Sequence, residues 1–204
     1  LMELFKAKDC GKPVHPSATV DAFSLKPSIW SAVYRRDFLN RNAIRFLPTP
    51  GAAFQDASFT FKVFALADTA VYLHDSVLSY RQDNEGSSVN SPNKVHCVND
   101  EYAEIHRWIV EDYAETHSSL DVAKLLRFAN IIKYDSYMWS YIRLNPKFYA
   151  EFLDRMAQEF RGALEAHEFE LTDLKPWKRA NLKAIVDDPQ KWLAESSDFA
   201  GAGA

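Results

Sequence analysis

The chain has 204 residues, 47% of them hydrophobic, which is enough to bury a core in one or two domains. A formal net charge of -4, with both signs interspersed, gives no broad basic field and argues against nucleic acid as the main partner. Cys10 and Cys97 lie far apart without metal spacing and suit a reducing compartment; no apolar run reaches the length of a membrane span, and no signal peptide opens the chain.

In chain order, residues 1–25 show little periodicity. Gly11, Pro13 and Pro16 interrupt any regular element, so the segment reads mostly as loop, and Leu1-Met2-Glu3-Leu4-Phe5 reads as a cut into an apolar element. Ser28, after Pro27, is placed to cap a helix in which Ile29, Trp30, Val33, Tyr34 and Phe38 share one face. Asn40-Arg41-Asn42 ends that helix. Ile44 and Phe46 alternate as a short strand closed by Pro48 and Pro50-Gly51. From Asp56, the residues Phe59, Val63, Leu66 and Ala67 recur at helical spacing, and Val71-Tyr72-Leu73 and Val77-Leu78-Ser79-Tyr80 read as two short strands.

Beyond Pro92 the pattern turns helical. Three long helices are expected over 98–117, 122–144 and 146–168, the third opened by Asn145 as cap with Pro146 in its first turn. A fourth spans 177–186, and Pro189 begins a short last one. This half is rich in aromatics, among them Trp108, Tyr134, Tyr137, Phe152 and Phe160, which suit a helical core with a partial interface. There is no internal repeat.

Three blocks concentrate the chemistry. The first is Lys26-Pro27-Ser28-Ile29-Trp30-Ser31-Ala32-Val33-Tyr34-Arg35-Arg36-Asp37-Phe38-Leu39, and the second is Phe54-Gln55-Asp56-Ala57-Ser58-Phe59. The third is Leu78-Ser79-Tyr80-Arg81-Gln82 followed by Ser87-Ser88-Val89-Asn90-Ser91. In that order they resemble the C-terminal half of the catalytic domain of bacterial family 2 glycosyltransferases, inverting enzymes of the GT-A fold that use nucleotide sugars. The resemblance covers about Lys26 to Ile109.

It implies an α/β fold class, the C-terminal part of a GT-A nucleotide-sugar transferase domain followed by a mostly α-helical extension. The domains expected are a loop-rich N-terminal segment over 1–25, the end of the catalytic domain over 26–96, the helical extension over 97–195, and a flexible tail over 196–204. It also implies a nucleotide-binding half upstream, so that the isolated chain is expected to be inactive while its parent transfers sugar from a nucleotide donor to a hydroxyl acceptor with inversion. Polysaccharide biosynthesis at the cell surface is the expected setting. The location would be the cytoplasm, at the inner face of the membrane for a lipid-linked acceptor, with peripheral association and a homodimer both compatible.

The resemblance also assigns roles. Asp56 stands at the family's general base, in a position where the family usually has a Glu-Asp pair; here the neighbour is the uncharged Gln55, which cannot act as a second acid. A carboxylate at a helix start is also a common cap, and that reading stays open for Asp56. Arg81 would grip the donor diphosphate or form a surface salt bridge. Trp30 would face the acceptor or belong to the core. Ser87 and Ser88 would line a loop over the sugar or a solvated turn. A divalent cation, Mg2+ or Mn2+, is expected for the full-length enzyme, with its ligands outside this chain. Asp83-Asn84-Glu85 mimics Asp-x-Asp spacing but reads as a polar turn, the six histidines form no metal-spaced pair, and six glycines leave no dinucleotide fingerprint. From another class, a non-catalytic helical interaction module retaining a transferase relic fits the same chain.

Overall fold

A computed structural model of the chain describes residues 10–26, 28–48, 54–75, 78–79 and 94–196. It divides into two units, Leu1–Ser87 and Ser88–Ala204. The expected α/β architecture is not what forms. The described residues are mostly helical, and they carry one sheet of two short antiparallel strands, β1 (Pro13–Val14) and β2 (Ala70–Val71). The physical reason lies in burial. Strands inside a parallel sheet are covered on both faces and must be apolar on both. Here Val71 and Leu73 are exposed, and no parallel sheet covers them among the described residues; the strand expected at 77–80 has Val77 and Tyr80 outside those residues. The strand expected at 44–47 does not form either: Ile44 is buried, but the segment has no ladder partner.

In the first unit, the segment read as loop folds tightly from Cys10 onward. Gly11, at a φ of 76°, donates its N–H to the Tyr72 carbonyl at 2.8 Å. A 3-10 turn at Pro16–Ala18 leads into α1 (Val20–Phe23), which buries Ala22 and Phe23. Phe23 packs on Phe61 and Phe64 with ring centroids at 4.8 and 6.0 Å. The helix expected from Ser28 to Phe38 is broken. Only a 3-10 turn forms at Ile29–Ser31, Ser28 makes no capping bond, and the chain then runs extended into α2 (Arg36–Arg41). An extended stretch alternates its side chains with period two. That turns Val33 fully outward while Tyr34 packs inward.

Helix α2 stops in a Schellman turn. Ala43 takes a left-handed φ of 49°, Ala43 N–H donates to Asn40 O, and Ile44 N–H donates to Leu39 O at 2.9 Å. The turn delivers Ile44 into a cluster with Phe59 and Val63, against which Ile29, Tyr34, Phe38 and Leu39 pack. The last of these elements, α3 (Gln55–Leu66), is buried on nearly every side.

The second unit is helical throughout its described residues. It comprises α4 (Cys97–Arg107), a π-helical turn at Trp108–Tyr113, α5 (Ser119–Tyr141), α6 (Tyr149–Glu165), α7 (Pro176–Asp187) and α8 (Pro189–Ser196). Asn145 caps the 3-10 turn Pro146–Phe148 by accepting from Lys147 N–H. The core gathers Val98, Ile105, Leu125, Phe152, Met156 and Leu182. A polar cluster joins α5 to α6: Tyr137 donates to Glu159 at 2.5 Å and Lys133 reaches the same carboxylate at 2.7 Å, while Arg155, one turn earlier on α6, reaches it at 2.9 Å. Helix α6 ends as α2 does, with His167 left-handed and Glu168 N–H donating to Ala163 O.

Candidate functional site

Helix α3 begins without a conventional cap. The N-cap residue is Phe54, whose side chain has no oxygen to offer and whose backbone sits left-handed at φ 59°, ψ 5°. Helix N-caps normally adopt extended geometry. Among the described residues, two of the three non-glycine residues at positive φ, Ala43 and His167, are explained as the C′ residues of Schellman turns. Phe54 is the one that no helix-ending motif explains. A left-handed residue with a bulky side chain costs about 1–2 kcal/mol, and such strain gathers where function needs a fixed geometry. It lies directly before Gln55 and Asp56.

Asp56 occupies the second position of α3, not the cap. The cap's carbonyl accepts from Ala57 N–H at 2.8 Å, so the first turn is closed by backbone rather than by the Asp56 side chain. Burial pushes the Asp56 carboxyl above its ordinary range. Its own backbone N–H and the charge of Lys26 pull the other way and do not prevail. The helix dipole alone would have held it ionised; desolvation wins. Gln55 anchors the helix start through a long hydrogen bond, 3.4 Å, to the Leu47 carbonyl.

Around Asp56 stand aromatic rings. Phe59 lies three residues along the same helix, hence on the same face. Tyr34 meets Phe59 edge-on at 5.4 Å and 88°, while Phe46 lies nearly parallel to it at 4.3 Å and 14°. The Tyr34 phenol is pushed up by burial and then by the nearby charge of Asp56. This arrangement is a desolvated carboxylate with the half-buried Tyr34 phenol near enough to feel its charge, able to accept a proton from a hydroxyl placed against it.

Of the residues singled out in the sequence, Asp56 and Gln55 are brought together at the start of α3. Trp30, on the 3-10 turn, is 42% exposed and outside the buried core. Arg81, Ser87 and Ser88 lie outside the described residues, as do Asp83 and Glu85. Sequence reasoning missed Tyr34 and Phe54 as neighbours of Asp56, and the stacking of Phe46 on Phe59. Tyr34 and Phe46 were assigned to a helix and a strand that do not form, and Phe54 carries no turn residue to announce its left-handed backbone.

Among the described residues, no group of three or more His, Cys, Asp or Glu side chains could hold a metal ion. The second unit holds an open groove of about 390 Å³ lined in part by His117, Ser119, Val122 and Glu168. Glu168 is already engaged there by His106 at 2.7 Å and Asn130 at 3.1 Å. No helix among the described residues is long and apolar enough to cross a membrane. No family model matches the chain, and neither the curated proteins nor the solved structures contain a significant match to it.

Proposed function

We propose that this chain carries the acceptor-activating part of an inverting sugar transferase, with Asp56 as its general base. The observation that supports the reading is the environment of Asp56: a carboxylate set behind a strained residue, desolvated enough to raise its proton affinity, and not used as a helix cap. A base works best when its pKa approaches the working pH, so this environment strengthens it. In the step proposed, an acceptor hydroxyl gives its proton to the Asp56 carboxylate as its oxygen bonds to the anomeric carbon of a nucleotide sugar. The bond from that carbon to the diphosphate breaks at the same time, and its electron pair leaves with the nucleoside diphosphate.

The remaining assignments follow from the sequence resemblance. Arg81 and the Ser87-Ser88 pair contact the donor, Trp30 and Gln55 border the acceptor, and the product belongs to a cell-surface glycan assembled on the cytoplasmic side. The divalent cation that the resemblance implies would take its ligands from outside this chain, so the step assigned here is the proton transfer to Asp56. The non-catalytic reading, a helical interaction module retaining a transferase relic, remains the alternative.

Asp56→Asn decides between them. It is measured in the full-length gene product, supplied with UDP- and GDP-hexoses and scored by acceptor-dependent release of nucleoside diphosphate. Transfer should fall by roughly a hundredfold or more, the usual worth of a positioned base. Thermal stability at pH 7 should hold or rise, because the variant removes a charge that burial disfavours. Transfer at the wild-type rate sinks the general-base assignment.

A further inference from the structure

We infer that the groove in the second unit binds an alkylammonium ion, its methylene chain laid along an apolar floor and its charged head held at Glu168. The site belongs to the second unit alone and does not depend on the role of Asp56. Its floor is made of Ala114, Val122, Ala123, Leu126 and Ala166, and its polar wall of His117, Ser119, His167 and Glu168. A volume of about 390 Å³ falls within the range of small-molecule sites. The groove begins where the π-helical turn Trp108–Tyr113 ends, with Ala114 N–H donating to Ile109 O at 3.1 Å, and such turns recur at functional sites.

The wall offers acceptors. His117 stacks on Tyr113 at 3.6 Å and 10°, and its Nδ1–H donates to the Tyr113 carbonyl at 2.9 Å, with the Thr116 hydroxyl on the same nitrogen at 2.9 Å. A carbonyl only accepts, so Nδ1 carries the proton and Nε2 of the neutral ring is left as an acceptor without a partner among the described residues. Burial pushes the Glu168 carboxyl up, but the hydrogen bond and charge of His106, then Asn130, hold it below its ordinary range, so it stays ionised. Each carboxylate oxygen has room for more than one donor, so an ammonium can reach Glu168 without displacing His106 or Asn130.

The surrounding charge sets the sign of the ligand. Residues 108–123 carry Glu111, Asp112, Glu115 and Asp121 and no lysine or arginine; residues 162–174 carry Glu165, Glu168, Glu170 and Asp173, again with neither cation. Arg107, Lys124 and Arg127 answer some of these from outside the two segments. Glu115 and Glu165, next in sequence to the floor residues Ala114 and Ala166, have no such partner among the described residues. An anion would therefore be repelled from the groove, and a neutral hydrocarbon would desolvate the acceptors of His117 and Glu168 without replacing their bonds. An alkylammonium answers both the floor and the wall.

The test is calorimetric titration of the full-length gene product with butylamine, hexylamine, hexanol and hexanoate at pH 8 and fixed ionic strength. The amines should bind saturably and tighten roughly threefold per added methylene, as burial of the chain requires, while hexanol and hexanoate should not bind. Ala123 is exposed, so Ala123→Phe fills the groove without entering the core; it should abolish binding and keep the melting temperature. Glu168→Gln keeps the shape of the side chain and should weaken hexylamine binding roughly tenfold, the worth of a hydrogen bond to a charged group. Nα-acetyl-lysine amide separates the two sources of this chemistry: binding tighter than pentylamine assigns the site to a lysine side chain, and weaker binding assigns it to a free amine. No saturable amine binding, hexanol bound as tightly as hexylamine, or hexylamine binding unchanged by Ala123→Phe overturns the site. None of these results bears on Asp56, whose role stands or falls in the transfer assay.

Discussion

Asp56 in the first unit and Glu159 in the second are both partly buried carboxylates on helices, and their proton affinities move in opposite directions. Burial pushes both upward. Around Glu159 the charge and hydrogen bond of Lys133, the phenol of Tyr137 and the guanidinium of Arg155 overcome that push and hold it below the ordinary range. Around Asp56 the described help is its own N–H and the more distant charge of Lys26, and burial prevails. The number of donors brought to the oxygens decides the outcome. A carboxylate saturated with donors is tied into the fold, while one left short of them keeps its basicity for another proton.

The comparison breaks first at the aromatic centre of each contrast. Phe59 is buried and touches both Tyr34 and Phe46, so Phe59→Ala should destabilise by about 3–5 kcal/mol, as large core truncations do. Chemical denaturation gives the midpoint shift. A change under about 1 kcal/mol would mean that the first unit is not organised around this ring.

Next comes Glu159→Ala, which strands Lys133 with 13% of its side chain exposed, leaves Tyr137 without its acceptor, and leaves Arg155 with Asp100 in place of two carboxylates. Removing one member of a largely buried pair costs about 3 kcal/mol or more. Glu159→Gln should also destabilise, whereas Asp56→Asn should not. Equal losses for the two amide variants would erase the difference between the carboxylates.

Both units end a helix with a left-handed residue that has a side chain, Ala43 in the first and His167 in the second. Ala43→Gly and His167→Gly should each stabilise by roughly 0.5–1 kcal/mol, because glycine takes that conformation without steric cost. The pair reads the two units by the same device, with thermal melts as the measure. A loss at either position would mean that the left-handed conformation is not held there.

The helices with sustained 3.6-residue stripes were legible in the sequence. The apolar run from Phe59 to Leu66 becomes α3, and Tyr102, Ile105 and Ile109 form one buried stripe across α4 and the π turn. Asn145-Pro146 announced the start it makes. Where spacing was short, it misled. Ile29, Trp30, Val33, Tyr34 and Phe38 fit a helical face on paper, but packing on Phe59 is met instead by a turn, an extended step and a new helix. Ile44 and Phe46 alternate as a strand would, yet the first enters the core through a Schellman turn and the second lies on Phe59. Asp56 was legible as a residue. Its surroundings were not, because the left-handed backbone at Phe54 has no turn residue to announce it and the approach of Tyr34 comes from contacts between segments.

The smallest effect concerns His106 and Glu168, joined at 2.7 Å on the second unit. The hydrogen bond that His106 donates to Glu168 raises the His106 pKa above its ordinary 6.5, against burial and the charge of Lys133. Burial pushes Glu168 up, but the hydrogen bond and charge of His106, then Asn130 and Lys133, bring it below its ordinary 4.5. The stabilising charge on His106 is fully present below about pH 6.5 and is lost as pH rises through its raised folded value. The charge on Glu168 contributes above about pH 4.5 and is lost as pH falls through its lowered one. The pair is therefore worth most between those limits. Half of the His106 side chain is exposed, so solvent screening holds the effect to about 0.5 kcal/mol. Denaturation midpoints for wild type and His106→Gln, compared from pH 5 to pH 8, should converge toward the alkaline end. A constant gap across that range would mean that His106 acts through packing and not through its charge.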